Sequence, residues 1–214
     1  MRARIVIIRH GQTDLSVQRV FCGSADPPLN AVGLEMAEAL GAQMSPESGV
    51  ALYVSPLLRT RQTAAPVARR TGLTAQVEPA LREISYGEWE ARPSAEIRQV
   101  DDDRYQAWNA QPGELAPPGG ETGREVAARA VPAVRRIVDR HPDGTSLIVS
   151  HKTTIRIIVC ALLGIDLNLF RARLDAPLTS RTVVEFRRSG PYLMSLGDVS
   201  HLPPHLQKIA AEGG

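Results

Sequence analysis

Cysteine is scarce in this chain. Its two residues, Cys22 and Cys160, stand far apart with no CxxC spacing, which excludes a disulfide framework and a zinc-ligand pattern and suits a reducing, cytoplasmic setting. Charge of one sign is lacking as well. The 25 basic and 23 acidic residues leave a formal net charge of +2, and the two signs are intermingled, so no nucleic-acid or membrane surface is expected. Affinity for anions must therefore be local. Long hydrophobic runs are missing too: residues 155–169 are interrupted by Arg156, Gly164, Asp166 and Asn168 and are too short to span a bilayer. The apolar run near the start is cut off by Arg9 and His10, well short of a secretory core, and reads as a first strand. With no internal repeat or low-complexity stretch, the 214 residues are expected to form one soluble domain.

What is present follows one grammar three times. Short apolar runs at residues 5–8, 50–54 and 147–149 end in Arg9-His10, Ser55-Pro56 and Ser150-His151. Runs without alternation suit strands covered on both faces, a pattern that short buried helices share, and the helical segments between them decide for an α/β protein. Residues 31–44 carry Leu34, Ala37, Leu40 and Met44 at helical spacing. Ser55-Pro56 predicts a helix start, with serine as the cap and proline in the first turn. Thr122 and Glu125 form a capping-box pattern ahead of Val126, Ala130, Val134 and Ile137, with a kink expected at Pro132. Another helix is predicted from His151 to a stop near Gly164. Residues 182–186 and 192–196, parted by Ser189-Gly190, predict an antiparallel hairpin at a sheet edge.

The stretch at about residues 87–121 differs, mixing Trp89, Asp101 to Asp103, Tyr105, Trp108 and Pro117-Pro118-Gly119-Gly120. It reads as a small cap insertion whose aromatic residues pack a lid. The expected architecture is a three-layer α/β/α sandwich with a mostly parallel central sheet, one antiparallel edge strand and this cap. A single domain over residues 1–209 is followed by a frayed tail at 210–214.

In an open parallel sheet, ligands sit beyond the carboxyl ends of the strands, and residues just after each strand converge there. Here those residues are Arg9, His10, Arg59 and His151. Two guanidiniums, two imidazoles and helix N-termini describe a pocket for a doubly charged phosphate. Arg9-His10 carries most weight, because two polar residues finish a strand that should be buried.

Arg9-His10-Gly11-Gln12-Thr13 resembles the signature of the histidine phosphatase superfamily, also called the phosphoglycerate mutase-like family. Further landmarks follow in family order. They are Gly23-Ser24-Ala25-Asp26-Pro27-Pro28-Leu29 with Gly33, then Ser55-Pro56-Leu57-Leu58-Arg59-Thr60-Arg61-Gln62-Thr63-Ala64, then Leu81-Arg82-Glu83 with Gly87-Glu88-Trp89-Glu90. Gly119-Gly120-Glu121 and Val149-Ser150-His151 complete the set, which runs from about Ile5 to Gly164.

The resemblance implies that His10 attacks phosphorus and carries the phosphoryl group as a phosphohistidine, while Arg9, Arg59 and His151 hold the phosphate oxygens. It makes Glu83 the general acid, then general base, with Glu88 a second candidate. Such a site needs positioning and charge stabilisation, which fixed cations can supply, so no metal or cofactor is expected. Gln12, Ser16, Cys22, Gly23, Ser24, Lys152 and His201 are the substrate-binding positions implied by similarity. Ser16 stands where many relatives have asparagine, and Lys152 and Thr153 stand where relatives often have glycine. The segment Asp198-Val199-Ser200-His201-Leu202 resembles the tail of the family's metal-independent phosphoserine phosphatases, in which a histidine returns over the site.

The expected activity is metal-independent hydrolysis of a small phosphorylated metabolite, by a protein that binds neither nucleic acid nor membrane and, like its relatives, pairs as a homodimer. A mutase that returns the phosphoryl group to another hydroxyl shares every core residue, but the long arginine-bearing insertion of glycolytic mutases is missing. A non-catalytic phosphate-binding module would have lost the nucleophile or the acid, and His10 and Glu83 are both present.

Overall fold

The computed structural model describes residues 2–212. Its strands are β1 (Ala3–Arg9), β2 (Ala51–Val54), β3 (Ala75–Val77), β4 (Thr145–Ser150), β5 (Arg181–Arg187) and β6 (Gly190–Asp198), assembled in the order β3-β2-β4-β1-β5-β6. The first four pair in parallel, with Ile5 opposite Ser146 and Leu52 opposite Leu147. All four residues of β2 are buried, as are residues 146–150 of β4, which is why these segments read as unbroken apolar runs. Alternate side chains go to opposite faces. Ile5, Ile7, Tyr53 and Ile148 join one core, while Ile8, Leu52, Val54, Leu147 and Val149 join the other.

The antiparallel hairpin expected at the sheet edge is present. β5 runs against β1 and β6 turns back against β5. At the opposite edge, β3 is three exposed residues, too short and too polar in pattern to stand out in the sequence.

Helices cover both faces: α1 (Asp14–Val17), α2 (Ala31–Ala42), α3 (Leu58–Thr71), α4 (Ser94–Ala110), α5 (Gly123–Arg140), α6 (Lys152–Leu163), α7 (Phe170–Arg173) and α8 (Pro204–Glu212). Leu40 of α2 and Ala64 and Val67 of α3 pack one face, and Val134 of α5 and Ile155 and Val159 of α6 pack the other. The buried stripe of α2 runs through Gly33, Met36, Ala37 and Leu40, leaving Leu34 47% exposed. α5 begins with the anticipated box, in which Thr122 Oγ1 accepts from Glu125 N–H and Glu125 Oε2 accepts from Thr122 N–H. It also runs unbroken through Pro132. Pro132 and Ala128 both lie on the exposed side, so the carbonyl that proline cannot bond faces water.

Two further expectations are corrected. Ser55 does not cap α3, which starts at Leu58 with Leu57 at the cap position. Asp26 Oδ1 accepts from Leu58 N–H at 2.6 Å instead. The tail is not frayed over its whole length, because residues 210–212 close α8 and Ala210 is buried with Met36, Leu178, Leu202 and Leu206. Residues 213 and 214 lie outside the described residues.

Residues 87–121 contain α4, which changes direction at Asp101 (φ −152°, ψ 70°). Trp89 and Trp108 meet edge to face at 5.1 Å, and Phe21, Tyr86 and Tyr105 surround Trp108. These ring contacts hold α4 against Trp89, Tyr86 and Phe21. Among the described residues, no helix is long and apolar enough to cross a membrane.

Candidate active site

β1 and β4 end side by side, and His10 N–H donates to Ser150 O across them. This brings His10 and His151 together with ring centroids 5.3 Å apart. The imidazole of His10 has its Nδ1 2.7 Å from Gly11 O. A carbonyl can only accept, so Nδ1 carries the proton and Nε2 keeps its lone pair. Burial, then Arg59 and Arg9, holds His10 well below the usual histidine pKa, so it is neutral at neutral pH.

Arg9 and Arg59 are anchored from opposite sides. Arg9 Nη1 donates to Ala176 O at 2.8 Å, and burial, opposed chiefly by Glu83, lowers its pKa to about 10, so it stays charged. Arg59 Nη1 donates to Ala25 O at 2.7 Å and its Nη2 donates to Gly23 O at 3.2 Å. That loop is held from behind by Glu90, whose carboxylate accepts from the N–H groups of Gly23, Ser24 and Tyr86.

Glu83 is buried against the start of α6. Its carboxylate accepts from Thr153 N–H, Thr154 N–H, Thr154 Oγ1 and Ile84 N–H at 2.9–3.1 Å. Arg129 of α5 donates to the carbonyls of Ala80, Arg82 and Glu83 and pins the segment that carries it. His151 is wholly buried, with Nε2 2.7 Å from Ser55 Oγ. Burial, then Arg59, keeps it neutral.

These groups meet at a cleft of ≈ 340 Å³. Arg9, His10, Ser16, Cys22, Arg59, Glu83 and Lys152 line it, whereas His151, wholly buried with its ring 5.3 Å from that of His10, is not part of the lining. Ser16 spends its hydroxyl on Thr13 O, and the Cys22 thiol is pushed up by burial. Four of the anticipated substrate-binding residues do not line the cleft either. Gln12 accepts from Asn30 Nδ2, Gly23 and Ser24 act through Arg59 and Glu90, and His201 is buried where the chain turns from β6 into α8. Glu88 is exposed and also outside it.

Of the other wall residues, Tyr86 and Arg171 carry no local signal in the sequence, and Tyr105 is read there only as packing. Arg156 alone had one, since it follows Lys152 by four positions and so shares its face of α6.

An α/β sheet whose strand ends gather a neutral imidazole, two buried guanidiniums and a buried carboxylate defines a site for handling a small anion. The chain belongs to the histidine phosphatase superfamily (branch 1), whose family model matches residues 5–199. It is 35% identical over 189 residues to the bifunctional protein Rv2228c of Mycobacterium tuberculosis, covering 87% of this chain and 51% of that protein, so it spans about half the length of that relative. It is 33% identical over 172 residues to glucosyl-3-phosphoglycerate phosphatase of the same organism, covering 76% of this chain and 77% of the relative. The solved structure of Bacillus stearothermophilus YhfR is similar with a TM-score of 0.86 at 32% identity, over 93% of this chain and 98% of that one.

Proposed function

We propose that this protein is a phosphatase that hydrolyses small phosphomonoesters through a phosphohistidine on His10. The observation that carries this reading is the 2.7 Å Nδ1 to Gly11 O bond, which leaves Nε2 as an unprotonated nucleophile between two buried arginines. The phosphatase among its relatives supports a hydrolytic outcome.

Arg9, Arg59 and His151 hold the three equatorial phosphoryl oxygens and stabilise charge that grows on them in the transition state. His10 Nε2 attacks phosphorus as the ester oxygen leaves, and Glu83 supplies the proton that this alkoxide needs. Glu83 enters this step as the protonated acid. Thr154 can accommodate it, because its hydroxyl is shared between Glu83 Oε1 and Arg82 O at 2.8 Å and can turn wholly to the carbonyl. In the second half, carboxylate Glu83 takes a proton from water as that water attacks phosphorus, the N–P bond breaks and neutral His10 returns. Both guanidiniums supply the positive charge that a metal supplies in other phosphoryl-transfer sites.

Rapid quench in alkali with a labelled phosphomonoester should trap an acid-labile phosphoryl group on the wild-type chain. His10→Ala should lose that label and roughly 10³-fold or more of kcat. Turnover within tenfold of wild type in His10→Ala refutes the assigned nucleophile.

A further inference from the structure

The cleft wall holds more positive charge than one phosphate needs. Among the described residues, six basic side chains line it, Arg9, Arg19, Arg59, Lys152, Arg156 and Arg171, against one carboxylate, Glu83. Arg9 and Arg59 flank His10 and match a dianionic phosphoryl group. Arg19 is turned aside, donating to Glu212 O at 3.3 Å. Lys152, Arg156 and Arg171 are left over, and the mechanism above uses none of them.

These three stand together. Lys152 and Arg156 share a face of α6, one turn apart, and both reach the same carboxylate, Asp175, at 3.4 and 2.7 Å. Asp175 is 54% exposed, whereas the side chains it serves are 19% and 12% exposed. Arg171, on α7, lies on the ring of Trp108, 4.4 Å from its centroid, and pairs with no carboxylate among the described residues. The Nε atoms of Arg156 and Arg171 are buried without a hydrogen-bond partner among the described residues. One half-exposed carboxylate thus answers three partly desolvated cations, and uncompensated buried charge is costly. Lys152 registers the imbalance. Burial, then Arg9 and Arg156, lowers its pKa to about 8.

We infer that Lys152, Arg156 and Arg171 form a second anion subsite, so that the substrate is a phosphomonoester carrying a further anionic group, a carboxylate or a second phosphate. This rests on the phosphatase reading above. The phosphoryl group sits at His10 and the second anion lies against α6 and α7. Stacking on Trp108 holds the Arg171 guanidinium as a fixed planar fork, the geometry that grips a carboxylate or phosphate with two parallel hydrogen bonds. Asp175 keeps the other two cations in place while the subsite is empty.

The test compares substrates that differ only in the second anion. For the full chain, kcat/KM is measured on 3-phosphoglycerate against glycerol 3-phosphate, and on propane-1,3-diol bisphosphate against its monophosphate, with p-nitrophenyl phosphate reporting hydrolysis itself. The wild type should favour the carboxylate or the bisphosphate by about tenfold or more, chiefly through KM. Arg171→Gln should cut that ratio at least severalfold, and Arg171→Lys should retain part of it. Ratios near one in both pairs, or a ratio unchanged in Arg171→Gln, overturn the subsite. If p-nitrophenyl phosphate is not turned over, the phosphatase reading fails by itself. Calorimetric affinities of the same paired ligands then decide the subsite by the same ratios.

Discussion

The two histidines at the site have the same burial-driven neutrality but opposite duties, and their neighbours assign them. His10 gives its Nδ1 proton to Gly11 O and keeps Nε2 bare. In His151 the nitrogen with a partner is Nε2, 2.7 Å from Ser55 Oγ. Leu57 N–H also points at that oxygen from 3.4 Å; the hydroxyl has one proton to donate, and we predict that it goes to Nε2 of His151. That arrangement leaves the His151 proton on Nδ1, which has no hydrogen-bond partner among the described residues and would donate to a phosphoryl oxygen. Ser55 is a positioning residue in this scheme, acting only through the ring. Ser55→Ala should lower kcat about tenfold, the worth of about one well-placed hydrogen bond. Imidazole ¹⁵N spectra should at the same time show His151 shifting towards the Nε2-protonated tautomer. An unchanged kcat with His151 still protonated on Nδ1 rules the relay out.

At the scale of elements, the nucleophile loop is set by how closely α2 can approach it. A Cβ on Gly33 would lie 2.1 Å from Gln12 O, and one on Gly11 would lie 2.6 Å from Gly33 O. Helix propensity alone favours alanine over glycine by about 1 kcal/mol. Here backbone contact outweighs it, and Gly33→Ala should instead destabilise the protein by about 1–3 kcal/mol in urea melts. It should also depress turnover although residue 33 touches no substrate, because the displaced loop carries His10; greater stability with full activity would show the contact to be slack. The same scale explains what could be read in advance. Strands β1, β2 and β4 were legible because double-sided burial removes polar residues from them, and the Thr122-Glu125 box was legible because both partners are local. Ser55 was misread as a cap because its true partner, His151, lies 96 residues away and outcompetes the local rule. β3 left no trace because none of its three residues is buried, and α4 was masked by its charged face and the break at Asp101. Of the site, the groups next to phosphorus were readable from strand ends and motif. The outer wall was not, since Arg171 and Tyr105 reach it from helices with no sequence link to the motif.

For the whole molecule, buried histidines make stability depend on pH in a predictable direction. His10 and His151 are held well below the usual value, and His201 is lowered to about 4 by burial and then by Arg181, with Asp198 opposing. In the unfolded chain each titrates near 6.5, so below that pH the unfolded state binds more protons and folding weakens as pH falls. Their contribution is complete above about pH 6.5 and declines by up to about 1.4 kcal/mol per histidine for each pH unit below it. Carboxylates act later. Asp198, held at about 2, and Asp175, also lowered, lose their contribution only as pH drops below the ordinary carboxylate range. The loss between pH 7 and 5 is therefore carried by histidine. His201 concentrates it at one place, because Leu202, Leu206 and Ala210 next to it dock α8 onto Met36 and Leu178. Neither ring nitrogen of His201 has a hydrogen-bond partner among the described residues, so its protonation inserts a charge without a hydrogen bond beside that helix. Urea midpoints should fall steadily from pH 7 to 5 in the wild type. In His201→Gln the slope should be shallower by about one proton, with amide exchange in residues 204–212 losing its extra acceleration at low pH. Parallel slopes for the two proteins would place the acid sensitivity at the active-site pair alone.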